Sequence, residues 1–146
     1  MRVERELKIN AAPEALYEVV MDPRCLEKWV TIHRSLEGAP DGQLRKGSTL
    51  TQCLKLAGKG FKVRWTVVEN ERAKRVVWEG RGPARSKAKV IYEFDADGDG
   101  DATTFFYVNE YDLPGGPLGR MAGPMVKRAT AGELNKSLEK LKALVE

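Results

Sequence analysis

The 146-residue sequence contains only two cysteines and one histidine. Cys25 and Cys53 lie far apart in the chain and form no Cys-x-x-Cys motif, so the ligands of a structural zinc site are missing. Such sparse cysteine usage is typical of a reduced, cytoplasmic protein. We therefore expect no metal site and no cofactor.

Long hydrophobic runs are also missing. No stretch approaches ~18 consecutive apolar residues, and the N-terminal MRVERELKIN is not a basic patch followed by an apolar run. The chain offers no Ser-His-Asp set, no glycine-rich phosphate loop and no His-x-x-x-His pair. These absences predict a protein without a transmembrane segment or a visible secretion signal, and they exclude the common motif-based enzyme classes.

Neither sign of charge is in large excess. The 25 Lys and Arg residues oppose 21 Asp and Glu residues, which gives a net charge of +4. Because both signs are mixed along the chain, we expect no nucleic-acid partner. Hydrophobic residues at 42% and charged residues at 32% are typical of a globular protein. At this length we expect one domain, residues 1–146, in a monomer or weak homodimer.

The N-terminal part of the sequence predicts a strand followed by two short helices. Residues 2–9 alternate charged and apolar side chains, which is typical of a half-buried strand. Pro13 suits the first turn of a helix that ends near Met21. An Asp-Pro pair follows and is a helix-start signal, so a second short helix should end near Trp29.

From about residue 30 the hydrophobic period changes to two, which predicts an antiparallel meander. Six strands are expected there, in the ranges 30–37, 48–56, 61–69, 75–80, 84–95 and 103–113. The period then becomes helical, with Leu134, Leu138 and Leu141 on one face. We expect a long helix that starts at Gly116 and is kinked or restarted at Pro124, because proline removes a backbone donor.

This order of elements predicts an α+β fold, with a curved antiparallel sheet of about seven strands around the C-terminal helix. Small inward residues at Ala84, Ser86 and Ala88 leave space that larger aliphatic side chains would fill. We therefore expect a ligand cavity between the sheet and the helix. The alternative is that the same side chains fill an ordinary core. The residues expected to line the cavity are Gln52, Trp65, Trp78, Tyr92, Tyr107, Asn109, Leu118, Met121, Met125 and Ala129.

Several segments resemble one family. INAAPEALYEVVMDPRCLEKWVTIHRSLEG, then KGSTLTQ and VRWTVVE, and the Gly- and Pro-rich start of the last helix resemble the START/Bet v 1-like (SRPBCC) superfamily, and within it the bacterial polyketide cyclase/dehydrase-like group. The resemblance covers essentially the whole chain. It implies a helix-grip fold with a lipid or other hydrophobic ligand in the central cavity, but it does not imply cyclase chemistry.

We expect this protein to bind a lipid-like or polyketide-like hydrophobic small molecule. An enzyme of the polyketide cyclase/dehydratase type is the alternative, and it would need an acid–base group in the cavity. His33 is the one candidate because its unperturbed pKa lies near neutrality, although alternation with Ile32 would turn it outward. A third alternative is the toxin component of a toxin–antitoxin pair, since some bacterial relatives share the Trp-x-x-x-His stretch and the Gly-Pro helix start.

A basic outer face is expected on neighbouring strands of the sheet. We interpret these charges as solvated groups that keep the sheet soluble and prevent edge pairing, because no aromatic platform accompanies them. The residues are Arg64, Arg75, Arg81, Arg85, Lys87 and Lys89.

Overall fold

The computed structural model describes residues 1–112 and 116–146, and the side chains of residues 1–112 and 123–146. Within these ranges the chain forms seven strands and three α-helices. In chain order they are β1 (Arg2–Ile9), α1 (Pro13–Val20), α2 (Leu26–Trp29), β2 (His33–Glu37), β3 (Thr49–Leu56), β4 (Lys59–Glu71), β5 (Arg75–Arg81), β6 (Lys87–Asp97), β7 (Ala102–Tyr111) and α3 (Gly116–Val145).

All seven strands belong to one antiparallel sheet with the order β1-β7-β6-β5-β4-β3-β2. Strands β2 to β7 follow one another as neighbours, and β1 pairs with β7, so β1 and β2 are the two edges. Register shifts occur between His33 and Ser35 in β2 and between Val67 and Glu69 in β4, and such bulges bend and twist a sheet. The curled sheet and the long C-terminal helix confirm the predicted helix-grip α+β fold.

The two short helices after β1 form where the sequence predicts them. A 3-10 turn at Pro23–Cys25 precedes α2, and the Asp22 carboxylate accepts a hydrogen bond from the backbone N–H of Arg24 at 3.0 Å. This cap satisfies a donor that would otherwise have no partner at the helix start. At the other end of α2, Trp29 is fully buried, so the short helices place a large aromatic side chain inside the protein.

Helix α3 packs against the concave face of the sheet. Its contact with the core is made by three buried leucines, Leu134, Leu138 and Leu141. Hydrogen bonds to β1 and to the residues after α2 help to fix its position. Arg5 Nε of β1 donates to Asn135 Oδ1 at 2.8 Å, and the backbone N–H of Thr31 donates to Ser137 Oγ at 3.0 Å. The C-terminal half of α3 is therefore held at both β1 and the end of α2.

The helix runs from Gly116 to Val145 and includes Pro124, so it does not restart at this proline, and a kink there stays a prediction. A proline removes one backbone hydrogen bond from a helix. Here the loss is tolerated because the following turns are held against the sheet by buried side chains such as Thr130 and Leu134.

Two predicted strand starts are also wrong. Residues 30–32 do not belong to β2, because the backbone N–H of Val30 ends α2 by donating to Leu26 O at 2.9 Å. Strand β6 begins at Lys87, because Pro83–Arg85 forms a 3-10 turn in which Ala84 has a φ of 53°. Ala84 is exposed there and leaves no space inside the sheet.

The facing of β7, which alternation alone leaves open, follows from the burial of its side chains. Phe105 and Tyr107 belong to the main core, whereas Val108 joins Val77 and Ile91 in a small second cluster. The sheet therefore has an inner face, packed against α3, and an outer face on which this small apolar cluster lies among charged side chains.

Candidate functional site

Large aromatic side chains form a cluster on the inner face of the sheet, which we name the aromatic cluster. Its members are Trp29, Trp65, Trp78, Tyr92, Phe105 and Tyr107. Tyr92 is central, with ring centroids 5.7 Å from Trp78, 5.3 Å from Tyr107 and 6.2 Å from Trp29. Tilted and edge-on pairs at such distances attract one another. The six rings therefore form an ordered aromatic wall beneath α3.

Neighbouring strands bring the cluster together. Trp65, Trp78, Tyr92 and Tyr107 lie on β4, β5, β6 and β7, and Tyr92 is directly opposite Tyr107 in the register. Trp65 is directly opposite Gly80. A Cβ atom added at Gly80 would lie 2.7 Å from Cε3 of Trp65. The indole of Trp65 thus lies over Gly80, and only glycine leaves room for it.

Two indole N–H groups of the aromatic cluster have no hydrogen-bond partner among the described residues. They are Nε1 of Trp29 and Nε1 of Trp78, and both atoms are buried. Both rings contact the ring of Tyr92. A buried donor without an acceptor costs about 1–3 kcal/mol, and such groups are rare in folded proteins. These two donors are available to an acceptor atom of a bound molecule.

The third indole is paired and links the cluster to the edge of the sheet. Nε1 of Trp65 donates to Oε1 of Gln52 at 3.0 Å, and Nε2 of Gln52 lies 2.9 Å from Nδ1 of His33. Because an indole N–H can only donate, the oxygen of Gln52 faces Trp65 and its NH₂ group faces His33. The amide therefore donates to Nδ1, and His33 is neutral with its proton on Nε2.

His33 lies half-buried at the start of β2, with its ring turned toward Gln52. Burial lowers the pKa of His33 below its ordinary value of 6.5; the Arg34 charge also lowers it, whereas Glu27 raises it. The register shift between His33 and Ser35 interrupts the simple alternation that would turn the ring outward. A neutral imidazole at the rim of the cluster is the result.

The interior of the described part of the protein carries no buried charged side chain. Its buried polar residues are Gln52, Thr103, Thr130 and Ser137. Burial raises the pKa of Tyr92 well above its usual value, and repulsion between the ionised forms of Tyr92 and Tyr107 would raise it further. Burial also raises the pKa of Tyr107. Both phenols are therefore neutral, and the site suits a neutral ligand group better than an ionised one.

The structure brings five of the predicted cavity residues together. Trp65, Trp78, Tyr92 and Tyr107 are buried in one continuous core, and Gln52 is buried beside Trp65. Each is joined to another by a hydrogen bond or a ring contact. Whether they contact a ligand stays a prediction.

The other predicted cavity residues are less closely associated with this group. Asn109 follows Tyr107 on the same face of β7 and is half-buried, as is Ala129 on α3. Leu118 and Met121 lie outside the residues whose side chains are described. Met125 is 73% exposed, which contradicts its expected place in the cavity lining. Met125 does not lie on the helix face that carries Gly123 and Thr130, the buried residues that face the sheet in this part of α3.

Trp29 is the functional candidate that the sequence reasoning missed. Its indole is fully buried between Tyr92 and Tyr107, with centroid distances of 6.2 and 5.8 Å. The available signal was its position at the end of a short, capped helix that separates β1 from β2. A large aromatic side chain at such a position favours burial, but its contacts depend on how α2 packs.

An enzyme of the cyclase/dehydratase type would need a second acid–base group near His33, and Tyr107 is a buried phenol that could supply it. His33 lies on β2 and Tyr107 on β7, and four strands separate these two in the sheet. No hydrogen bond joins the two among the described residues, and His33 is linked through Gln52 and Trp65 to the rings around Tyr92. The described contacts around these residues are hydrogen bonds and aromatic packing.

Many solved protein structures have a similar fold. A protein of Thermus thermophilus, TTHA0849, is similar with a TM-score of 0.82 and 20% identity over 99% of this chain and 97% of that chain. A START superfamily protein from Mycobacterium smegmatis has a TM-score of 0.76 and 18% identity, covering 99% and 96%. The ZhuI aromatase/cyclase from Streptomyces sp. R1128 has a TM-score of 0.77 and 12% identity, covering 99% and 93%.

Sequence similarity to a known family extends over the whole chain. No protein of curated function matches significantly. Among the described helices, none is both long enough and apolar enough to cross a membrane. The family model described as "Polyketide cyclase / dehydrase and lipid transport" matches residues 1–146. The chain therefore belongs to the polyketide cyclase/dehydrase and lipid transport family of the SRPBCC superfamily.

Proposed function

We propose that this protein binds a neutral, largely hydrophobic small molecule between the aromatic cluster and α3. The observation that carries the proposal is the pair of buried, unpartnered indole N–H groups on Trp29 and Trp78. An acceptor on the ligand would satisfy these donors, while the surrounding rings of Tyr92 and Tyr107 would pack against its apolar surface. The ligand class is a lipid-like or polyketide-like compound with a carbonyl or ether oxygen.

The charge of the interior supports a neutral ligand. A carboxylate or phosphate in the interior would need a cation to offset its desolvation, and no described charged residue is buried there. The uncharged donors of the aromatic cluster instead match a ketone, ester or quinone oxygen. A free fatty acid whose carboxylate enters the cluster is therefore a poor ligand.

Binding is favoured over catalysis in this proposal. An aromatase/cyclase has a similar fold, but His33 and Tyr107 of this chain lie on strands that four other strands separate in the sheet. Without a converging acid–base pair, the residues act as a binding surface. We place the protein in the cytoplasm, as a monomer or weak homodimer that carries or senses its ligand.

Native mass spectrometry of the freshly purified protein tests this proposal. The expected result is a species heavier than the denatured chain, whose extra mass is lost on denaturation and belongs to a neutral, oxygen-containing hydrophobic compound. The Trp78→Phe variant should retain less of this compound, because it loses one of the two donors. A chain mass without any adduct, both from the native source and after incubation with hydrophobic extracts, would contradict the proposal.

A further inference from the structure

A groove of about 710 Å³ crosses the outer face of the sheet, at the end of β4, β5, β6 and β7 that carries the basic residues. This is within the range of small-molecule sites, which occupy roughly 300–1,000 Å³. The charged residues that line it are Arg64, Glu79, Arg81, Lys87, Lys89, Glu110 and Asp112. Val68 of the small apolar cluster also borders the groove.

Three cations lie side by side on neighbouring strands in this groove. Arg64 of β4 pairs in register with Arg81 of β5, and Arg81 pairs with Lys87 of β6. We name these three residues the basic row. Like charges directly opposite on neighbouring strands are destabilising, so the arrangement costs stability unless an anion offsets it.

Within the described residues, no ion pair compensates the basic row. None of Arg64, Arg81 and Lys87 is among the cations that have a carboxylate within 4.0 Å in the described part of the chain. The segment 113–122, LPGGPLGRMA, contains no Asp or Glu that would supply one. Asp112 lines the same groove beyond Lys87 but makes no ion pair with it.

The neighbouring row of the same groove shows the contrast. There Glu79 is opposite Lys89, Lys89 is opposite Glu110, and Glu110 is opposite Arg2, so the signs alternate. Arg2 and Glu110 also form an ion pair. One row is therefore balanced by the protein itself, and only the basic row has an excess of positive charge.

Protection of sheet edges does not explain the basic row. Lysine and arginine on edge strands prevent unwanted pairing, but β4, β5 and β6 are internal strands, and the edges are β1 and β2. Solubility alone also does not require three cations in direct register, since Glu79, Lys89 and Glu110 line the same groove with alternating signs. A ligand that bridges the three positive charges accounts for their placement.

We propose that the basic row binds the phosphoryl group of a small molecule. Strands lie about 4.8 Å apart, so the three residues span roughly 10 Å, a distance that one diphosphate or a phosphate with its neighbouring groups can bridge. The planar guanidinium groups of Arg64 and Arg81 suit paired hydrogen bonds to phosphate oxygens, and Lys87 adds a point charge. The negative charges of Glu79, Glu110 and Asp112 restrict the anion to this row. This site is separate from the aromatic cluster and does not depend on the proposed function.

A titration with inorganic pyrophosphate, followed by NMR at constant ionic strength, tests the proposal. We expect saturable shifts of the backbone amides around Arg64, Arg81 and Lys87. Arg81→Gln removes the central cation and should weaken binding about tenfold or more, because a hydrogen bond to a charged group is lost. Arg128→Gln is the matched control: it removes one exposed arginine from α3 and should leave binding unchanged. Lack of saturable binding, or equal binding by both variants, would overturn the proposal.

Stability and vesicle measurements complete the test. Arg81→Gln and Arg64→Gln should each raise the unfolding temperature in phosphate-free buffer, because each relieves repulsion within the basic row. Pyrophosphate should raise the unfolding temperature of the original protein and have less effect on these variants. Arg81-dependent binding to phosphatidic acid vesicles would identify a lipid headgroup as the phosphoryl source, whereas binding to pyrophosphate alone would identify a soluble ligand. Unchanged or lower stability in both variants would contradict the repulsion on which the proposal rests.

Discussion

Nδ1 of His33 lies 2.9 Å from Nε2 of Gln52, so an edge-strand imidazole is hydrogen-bonded to an amide that belongs to the buried core. The orientation of this amide is determined on its other side by the indole N–H of Trp65, 3.0 Å from Oε1. The three residues therefore form a series of hydrogen bonds that runs from Trp65 through Gln52 to His33. A proton on Nδ1 of His33 would place two N–H donors against each other. Several measurable properties depend on these two hydrogen bonds.

Acidification should weaken the fold through His33. The pKa of His33 lies below 6.5 in the folded protein because of burial, so the unfolded chain takes up this proton at a higher pH than the folded one. The stabilisation is complete above the unfolded value and is lost as the pH falls from 6.5 through the folded pKa. Urea unfolding across this pH range should show the loss, and a His33→Gln variant should lack that component. Identical pH dependence in both proteins would contradict the account.

Replacing Gln52 by glutamate should reverse the shift. In Gln52→Glu a carboxylate still accepts from Trp65 Nε1, and it now also attracts a protonated His33 Nδ1. Because His33 is the only histidine, its ring resonances are assigned without ambiguity in an NMR titration. We expect its pKa to rise above 6.5 in this variant and to stay below 6.5 in a control such as Lys140→Gln, an exposed site on α3. A pKa that stays below 6.5 in Gln52→Glu would show that His33 and Gln52 are not in contact.

Two tryptophans of similar burial should respond differently to loss of the indole nitrogen. Trp65 is 4% exposed and paired with Gln52, whereas Trp78 is 2% exposed and its Nε1 is unpaired. Trp65→Phe leaves the Gln52 oxygen without its donor, but Trp78→Phe removes a donor that already lacks an acceptor. We expect Trp65→Phe to reduce the free energy of unfolding by about 1–2 kcal/mol more than Trp78→Phe in the ligand-free protein. Equal losses in urea unfolding would argue against the assigned hydrogen bond.

Gly80 should tolerate no side chain. A Cβ at this position would lie 2.6 Å from Val63 Cγ1 and 2.7 Å from Trp65 Cε3, so Gly80→Ala forces the Trp65 ring to move. We expect a loss of about 1–3 kcal/mol, which is typical of overpacking in a core. Gly132→Ala is the matched control, because nothing lies within 4 Å of its added Cβ and alanine favours a helix by roughly 0.5–1 kcal/mol. Thermal unfolding of the two variants should therefore shift in opposite directions.

The order of the elements could be predicted from the sequence because its local signals are strong. Alternation along residues 87–97, the Asp22 cap and the leucine spacing of α3 each indicate one local structure, and the fold satisfies all of them. Boundaries could not be predicted where hydrogen bonds to distant residues decide them. The start of β2 is an example, since Thr31 bonds to Ser137 of α3.

The candidate site could be predicted only in part. Successive side chains of a strand point to opposite faces of the sheet. This alternation was enough to identify the inward-facing residues Gln52, Trp65, Trp78, Tyr92 and Tyr107. The alternation of side chains along a strand says nothing about how a helix packs on the sheet. The exposure of Met125 and the burial of Trp29 could therefore be known only from the packing of α2 and α3. The basic row likewise depends on strand register, which the sequence alone does not specify.

The most direct test of the central claim is an NMR titration of the three indole N–H resonances with 9-fluorenone and with fluorene, its hydrocarbon analogue without the oxygen. The two probes have nearly the same shape, so their difference isolates the ligand acceptor. We predict that fluorenone, but not fluorene, moves the Trp29 or Trp78 indole N–H downfield, while the Trp65 resonance changes little because it already donates to Gln52. Failure of fluorenone to bind, or identical shifts of Trp29 and Trp78 with both probes, would contradict the account.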